Sequence, residues 1–247
     1  MCLVGVAADA HPHYALVIAA NRDEFHERGA VPAHWWDAHP QLYGGRDARE
    51  GGAWFALHRA GRFALVTNIR RPGSSTGRSR GQLVLETVLS GALPPPALAR
   101  SYRPFNLLLG QGPRLHYTHS DAAAGSTTRA SVYALSNAPL GIEWPKTRAL
   151  SAALARWSME AQPLAEIWPL LRDERPAADA ELPDTGVGLA MERFLSPIFI
   201  RSEHYGTRSS AVLAIDHAGH WHFEERYFDA AAQVIDTRQV AFHPAYA

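Results

Sequence analysis

The sequence predicts an α+β fold built mostly from antiparallel sheet. Short runs rich in Val, Ile, Leu and Ala come in pairs separated by turn residues, beginning with residues 2–8 and 14–20. The helical patterns fall in a central group and do not alternate with the strands. Because parallel strands need a crossover between them, usually a helix, this order favours hairpins over βαβ winding.

The remaining elements follow in order along the chain. Each further hairpin is predicted from two apolar runs around a turn that contains Gly or Pro, and each helix from apolar residues at helical spacing. Proline at the first turn supports two of the helices. The predicted strands are 54–58, 62–67, 105–109, 115–118, 131–136, 209–215, 221–228 and a tail from 234; the helices are 83–89, 146–157 and 163–171; residues 69–80 are predicted to form an exposed loop.

Composition favours a single globular domain over residues 1–247. The chain is 47% hydrophobic and 19% charged, which is enough apolar content for a large core. Its formal net charge of zero gives no overall field toward nucleic acid or an anionic membrane. One cysteine excludes an internal disulfide framework, and neither a signal peptide nor a membrane-spanning stretch is evident. We therefore expect a cytoplasmic protein without a membrane span.

Cys2, the single cysteine, stands at the start of the first predicted strand. If the initiator methionine is removed, Cys2 carries a thiol and a free α-amine on one carbon. The ordinary pKa of an α-amine is about 7.7–8.0 and that of a thiol about 8.5, so the amine can accept the thiol proton near neutral pH. The alternative interpretation is a small apolar residue at the start of a buried strand.

Four polar segments lie where apolar strand patterns end or begin. An asparagine amide can donate to a developing oxyanion, an aspartate can hold a cationic α-amine, and an arginine can bind that aspartate or a substrate carboxylate. Singly, such residues are typical of turns, but together with Cys2 they indicate amide chemistry. The segments are Asn21-Arg22-Asp23, Thr67-Asn68, Ser136-Asn137-Ala138-Pro139 and Tyr205-Gly206-Thr207-Arg208-Ser209-Ser210.

Several of these motifs resemble the NRDE family, also called the transport and Golgi organisation protein 2 family. That family in turn resembles the N-terminal-nucleophile (Ntn) hydrolases of the penicillin V acylase and bile salt hydrolase group. The resemblance implies a four-layer αββα sandwich, with two antiparallel sheets face to face and helices outside. It rests on MCLV at the start, NRDEF at 21–25, Gly51-Gly52-Ala53-Trp54, Leu135-Ser136-Asn137 and the segment from Tyr205 to Ser210.

The resemblance also implies roles for individual residues. Cys2 would be the nucleophile and its own α-amine the base, with Asn68 or Asn137 donating to the oxyanion. The catalytic residues expected on this basis are Cys2, Arg22, Asp23, Asn68 and Asn137, and those expected to bind substrate are Asn21, Glu24, Trp54 and Arg208.

This sequence departs from the acylase pattern at the second and third catalytic positions. In the acylases an Asn separates the Arg from the Asp, whereas Arg22 and Asp23 are adjacent here. Adjacent residues of an extended chain point to opposite faces, so whether both reach Cys2 is open at this level. The distal arginine is equally open between Arg201 and Arg208.

Two functions follow from the resemblance. The first is a hydrolase that cleaves an amide or thioester bond of a small acyl substrate and requires neither cofactor nor metal. The alternative is a non-catalytic carrier, because members of the family are linked to haem trafficking and to lipid or acyl-coenzyme A homeostasis. Thirteen histidines and seven tryptophans are candidates to line such a pocket. Both functions imply a small-molecule partner, no nucleic acid, and an oligomeric state that the sequence leaves open.

Overall fold

The computed structural model describes residues 2–71, 73, 76–127 and 131–245, and two antiparallel sheets form its centre. Sheet A has six strands. Because β1, β2 and β11 are rich in Val, Ile, Leu and Ala, both faces of the middle of this sheet are buried. In spatial order the strands are β10 (Val132–Leu135), β1 (Cys2–Ala8), β2 (Tyr14–Phe25), β11 (Tyr205–Asp216), β12 (Trp221–Phe228) and β13 (Val234–Phe242).

Sheet B has seven strands, and each pairs with the next along the chain. It is a meander of hairpins, with register shifts only between its first two strands. The strands are β3 (Ala30–Trp36), β4 (His39–Asp47), β5 (Phe55–His58), β6 (Arg62–Asn68), β7 (Phe105–Gln111), β8 (Arg114–His119) and β9 (Ser126–Thr127).

The two sheets pack face to face through one shared apolar core. Alternate residues of each strand enter this core, as Leu16, Ile18 and Ala20 do from β2. Phe55 of sheet B meets Phe223 of sheet A edge-on, with ring centroids 5.2 Å apart. The inner layers of the sandwich are therefore fixed by the two-residue period of the strands.

Helices cover the outer faces of both sheets. α1 (Arg80–Ser90) packs on sheet B through Leu83, Val84 and Val88, while α3 (Pro145–Met159) and α4 (Ile167–Leu171) pack on sheet A. The structure thus confirms the predicted four-layer αββα sandwich. Two short helices, α2 (Pro96–Ala99) and α5 (Leu189–Phe194), and 3₁₀ turns at Leu164–Glu166 and Asp179–Glu181 complete the described elements.

Helix α3 runs alongside β1 in the same direction. Trp157, near the end of the helix, stacks on His11, which follows β1, with ring centroids 4.3 Å apart. In the middle, Leu150 and Leu154 occupy the space that a Cβ at Gly5 would need. The first turn of α3 consequently lies at the end of sheet A where β1 begins.

The structure differs from the predicted elements in several places: β9 and the short helices α2 and α5 were not predicted, and β11 begins at Tyr205, four residues before the predicted start. Strands β3 and β4 were not predicted, and β2 continues five residues beyond the predicted end at residue 20, to Phe25. Arg22 and Asp23 therefore lie within a paired strand and not at a strand exit, since Arg22 pairs with Cys2 of β1 and Asp23 with Thr207 of β11. The predicted loop at 69–80 lies partly outside the described residues. Among the helices that the structure describes, none is long and apolar enough to cross a membrane.

Candidate active site

A cavity of about 310 Å³ lies between the sheets at the end where β1 begins. Sheet A contributes one wall, and residues of β4 and β6 with the start of α1 contribute the other. Of the nine residues assigned to the site from the sequence, seven line this cavity: Cys2, Arg22, Asp23, Glu24, Trp54, Asn68 and Arg208. The cavity thus unites residues from distant parts of the chain.

One row of side chains crosses sheet A beneath the cavity. Directly paired residues of antiparallel strands share a face, and the row lies on the same face as the inner-core residues Val4 and Ala20, two positions away. A thiol, a guanidinium, a hydroxyl, a phenol and a carboxylate therefore stand side by side. In order across β1, β2, β11, β12 and β13 they are Cys2, Arg22, Ser209, Tyr227 and Asp236.

The Cys2 thiol is almost enclosed, with 9% of the residue exposed. Burial raises the pKa of this thiol, and the positive charges of Arg22 and Arg80 act in the opposite direction. The carbonyl oxygen of Cys2 accepts a hydrogen bond from Ser136 Oγ at 2.9 Å. The backbone of Cys2 is thus anchored by Ser136, and its uncharged thiol needs a base to become a nucleophile.

Arg22 and Asp23 lie on opposite faces of sheet A, as their adjacency indicates. Arg22 is on the cavity face, where its Nη2 lies 3.4 Å from Asp47 Oδ2. Asp23 borders the cavity, but its carboxylate is on the helix face, where Oδ1 accepts a 2.7 Å hydrogen bond from Thr207 Oγ1. The Cys2 thiol therefore shares the cavity face with Arg22, whereas the Asp23 carboxylate faces the helical layer.

Arg208 lines the cavity because of a β-bulge. Thr207 pairs with Asp23 and Ser209 with Arg22, so Arg208 is the extra residue of β11. Its Nη1 donates to the carbonyl oxygens of Phe25 and His26, at 3.0 and 2.8 Å. Arg201 is more than half exposed and is ion-paired with Glu174. Of the two candidate distal arginines, Arg208 is therefore the one at the cavity.

Asn68 presents an amide group to the cavity at the end of β6. Asn137 Nδ2 donates to both the carbonyl oxygen and Oδ1 of Asn68, each at 2.9 Å. Asn137 Oδ1 accepts from Ser136 Oγ, so the orientation of both amides is fixed. Within the described chain, Asn68 Nδ2 makes no hydrogen bond, and it is the donor left for a ligand oxygen. Asn137 is buried behind Asn68 and does not line the cavity.

Ion pairs stiffen the rim of the cavity. Arg28 Nε donates to Asp47 Oδ2 at 2.7 Å, and Arg28 also approaches Glu24 and Glu50 at 3.7 and 3.8 Å. Arg103 binds the same Glu50 at 2.7 Å. Burial raises the pKa of Asp47, but the hydrogen bonds from Arg28 and from the backbone N–H of Glu50 outweigh it and hold this pKa below its ordinary value. The rim is thus a connected network of charges.

The model of the Transport and Golgi organisation 2 family matches residues 1–230 of the sequence. The chain belongs to this family. It is 30% identical over 263 residues to the Transport and Golgi organization protein 2 homolog of Bos taurus, and the alignment covers 92% of each chain. These findings confirm the family that the NRDEF and neighbouring motifs indicated.

Two solved structures are similar to this member of the Transport and Golgi organisation 2 family. The Caenorhabditis elegans N-acylethanolamine-hydrolyzing acid amidase ortholog is 9% identical, with a TM-score of 0.47 over 86% of this chain and 92% of that one. A mutant conjugated bile acid hydrolase from Clostridium perfringens is 7% identical, with a TM-score of 0.49 over 97% of this chain and 92% of that one.

Asn21, the first residue of the NRDEF motif in this family member, does not face the cavity. It is fully buried on the helix face of sheet A, where Nδ2 donates to the carbonyl oxygens of Leu171 and Ile198 at 2.9 and 2.8 Å. Its Oδ1 accepts from Ser210 Oγ. With its donors and acceptor engaged in this way, Asn21 joins β2 to the helical layer, which corrects the expectation that it contacts a substrate.

Glu225 is a site residue that the sequence analysis missed. It is buried in the cavity wall and accepts hydrogen bonds from Trp54 Nε1 at 3.0 Å, Ser209 Oγ at 2.8 Å and the Tyr227 hydroxyl. The Tyr227 hydroxyl in turn accepts from the backbone N–H of Ala33. Glu225 therefore joins the two sheets at the cavity. Glu225 lies on the same face of β12 as Trp221 and Phe223. A carboxylate at an apolar position of a predicted strand is the sequence feature that could have indicated this residue.

We expect Glu225 to make stability depend on pH. Burial raises the pKa of this carboxyl above its ordinary value of 4.5, so the folded state binds its proton more tightly than the unfolded state. The free energy of unfolding should fall as pH rises from about 4.5 through the folded pKa. Denaturant unfolding of the Glu225→Gln variant across this range should show a flatter pH dependence. The exposed Glu166 provides the control, since Glu166→Gln should leave the slope unchanged.

Two cations near Cys2 were not among the predicted site residues. Arg80 begins α1, lines the cavity and is partly buried, whereas the sequence placed it in an exposed loop and favoured solvation over a role in holding an anionic ligand. Lys146, the only lysine, is buried in the first turn of α3. Buried lysine is uncommon and gives no signal in an amphipathic pattern.

The histidines lie away from the cavity. His11 stacks on Trp157, and His220 bonds Asp216 at 2.9 Å on the surface. Among the described residues, no histidine lines the cavity, and no three His, Cys, Asp or Glu side chains are grouped to hold a metal ion. Met1, whose removal the N-terminal base requires, lies outside the described residues.

Proposed function

We propose that this protein is an Ntn-type hydrolase that cleaves an amide or thioester bond of a small acyl substrate. The observation that supports this most is the placement of Cys2. Its thiol shares the cavity face with Arg22, and Asn68 offers an amide donor without an intramolecular acceptor in the described chain. These are the components that acyl transfer needs: a nucleophile, a cation beside it and an oxyanion donor.

The reaction would proceed through an acyl-enzyme. The α-amine of the processed chain takes the thiol proton, and the Cys2 sulfur attacks the carbonyl carbon. Asn68 Nδ2 donates to the oxyanion, and the α-ammonium gives the proton to the leaving amine or thiol as its bond to carbon breaks. Water, deprotonated by the same amine, then releases the acid and regenerates the thiol.

The cavity favours a substrate with an anionic group. Arg80 and Arg208 line the cavity, and neither forms a salt bridge with a carboxylate in the described part of the chain. Other arginines of the rim, such as Arg28 and Arg103, are already paired with Asp47 and Glu50. Arg80 and Arg208, with Arg46, which also lines the cavity and forms no salt bridge in the described chain, are therefore the cations available for a carboxylate or phosphate.

Intact mass and a substrate panel test the proposal together. The protein produced without an N-terminal tag should lack one methionine residue. A panel of N-acyl amides and acyl thioesters, with and without an anionic group, should release amine or thiol. Iodoacetamide should stop this release, because Cys2 is the single cysteine. Retention of Met1, or release that survives complete alkylation, would contradict the hydrolase.

The alternative is a non-catalytic carrier of haem, lipid or acyl-coenzyme A. The raised pKa of Cys2, caused by burial, favours it, because an uncharged thiol is a poor nucleophile. The rim arginines Arg80 and Arg208 would then bind the anionic group of the ligand. Titration with haem, followed by the Soret band, and with acyl-coenzyme A, followed by calorimetry, separates the two functions. Stoichiometric binding without turnover would support the carrier.

A further inference from the structure

A group of buried charges lies on the helix face of sheet A, directly behind Cys2. Asp23 is 1% exposed and Lys146 is 3% exposed. The Arg70 guanidinium bonds Glu192 from the loop after β6, and Glu192 is buried as well. The mechanism above assigns no role to any member of this group.

The packing of α3 on β1 places Lys146 at the N-terminal end of the first strand. Trp157 near the end of α3 meets His11 beyond the end of β1, and Leu150 meets Gly5 in the middle. The first turn of the helix, which contains Lys146, therefore lies beside Cys2 and its strand partner. Asp23, one residue further along β2, points to this same face.

Few contacts stabilise the protonated form of Lys146. Its Nζ donates to the carbonyl oxygen of Leu195 at 3.1 Å, and this is its one hydrogen bond in the described chain. Burial lowers the pKa of Lys146 to about 8, while the carboxylate of Asp23 acts in the opposite direction. The ammonium form prevails at neutral pH, since this pKa is still above 7.

We propose that Lys146 is a positioning residue that keeps the α-amine of Cys2 in its neutral, proton-accepting form. This rests on the proposed hydrolase, in which that amine is the base. A carboxylate alone beside the amine would favour its ammonium form, and an ammonium cannot accept the thiol proton. The charge of Lys146 offsets that of Asp23 and adds a cation close to the amine. Asp23 can then orient the amine without keeping it protonated.

Other charged groups face this region from every neighbouring element, and they do not replace Lys146. Arg70 is engaged by Glu192, so their charges largely cancel. Arg22 and Arg80 lie on the cavity side with the thiol, and Tyr205 is neutral because burial raises its pKa. By element, the groups are Arg22, Asp23 and Glu24 of β2, Arg70 after β6, Arg80 of α1, Lys146 of α3, Glu192 of α5 and Tyr205 of β11.

The composition of the chain gives this proposal a direct test. Because Lys146 is the only lysine, the α-amine is the sole amine in a Lys146→Met variant. The rate at which cyanate carbamoylates the N-terminal peptide, measured by mass spectrometry against pH, reports the fraction of neutral amine. We expect Lys146→Met to raise the apparent pKa of the α-amine by about one unit, which lowers the rate at pH 7 about tenfold. Lys146→Arg keeps the cation and should retain the wild-type profile.

Circular dichroism and thermal unfolding establish that each variant is folded, and Lys146→Gln replaces Lys146→Met if the latter is not. Identical profiles for the wild type and the uncharged variant would overturn the proposal. So would a profile of Lys146→Arg that follows Lys146→Met. If the pH profile shifts but the protein cleaves no substrate, the effect of Lys146 on the amine is supported and the proposed hydrolase is contradicted. If the protein cleaves substrate and the profile does not shift, the hydrolase is supported and the role of Lys146 is contradicted. Retention of Met1 would contradict both the hydrolase and the role of Lys146, because the Cys2 amine would not be free.

Discussion

The Cys2→Ala variant is expected to fold and to lose turnover completely. The substitution removes one sulfur atom from a small, nearly enclosed side chain, so we expect a cost of about 1 kcal/mol in the free energy of unfolding. It also removes the atom that attacks the carbonyl, and no other cysteine is present to replace it. The measurement is the rate of amine or thiol release on the best substrate from the panel.

Cys2→Ser is the matched variant for this prediction. Its hydroxyl keeps the size and the α-amine, but it is a weaker nucleophile than the thiol. We expect slow release or an accumulated acyl-enzyme, visible as added mass on the N-terminal peptide. Full turnover by Cys2→Ala would show that the cavity does not act through this residue.

The Asn68→Ala variant is expected to lower kcat about 10²–10³-fold with little change in KM. A donor that bonds the oxyanion in the transition state contributes about this much to the rate in other acyl-transfer enzymes. Steady-state kinetics on the same substrate test it. Asn137→Ala is the comparison, because Asn137 orients Asn68 without lining the cavity. A larger loss for Asn137→Ala than for Asn68→Ala would contradict the oxyanion role.

The sequence predicted the fold class and most hairpins because apolar alternation is strong in the strands that form the shared core. The unpredicted strands β3 and β4 show why this signal fails elsewhere. Trp35 and Trp36 are adjacent, and the register between these strands shifts near them, so the two-residue period is broken. The polar end of β2 was not predicted because Asn21 and Asp23 are buried polar residues that form hydrogen bonds, and they give no apolar pattern in the sequence.

The site residues that belong to sequence motifs could be predicted, whereas those that tertiary packing brings to the site could not. Cys2, Arg22, Asp23 and Asn68 come from motifs, and the structure brings them to one cavity. Arg208 also comes from a motif, but the choice between it and Arg201 depended on a bulge, whose extra residue is set by pairing with β2 and not by local sequence. Lys146 is buried because helix α3 packs against sheet A, and no local sequence pattern indicates this contact.

The central position of β2 determines how this site can respond to ligands. This strand is hydrogen-bonded on both edges, to β1 and β11, from Leu16 to Arg22. Its amide protons should be among the slowest in the chain to exchange with solvent, since opening them requires separation of the sheet. The positions of Arg22 and Asp23 are consequently fixed before any ligand arrives, and little ordering accompanies binding. Ligands must fit a preformed site, and affinity among them should follow their shape and charge more than their ability to remodel the protein.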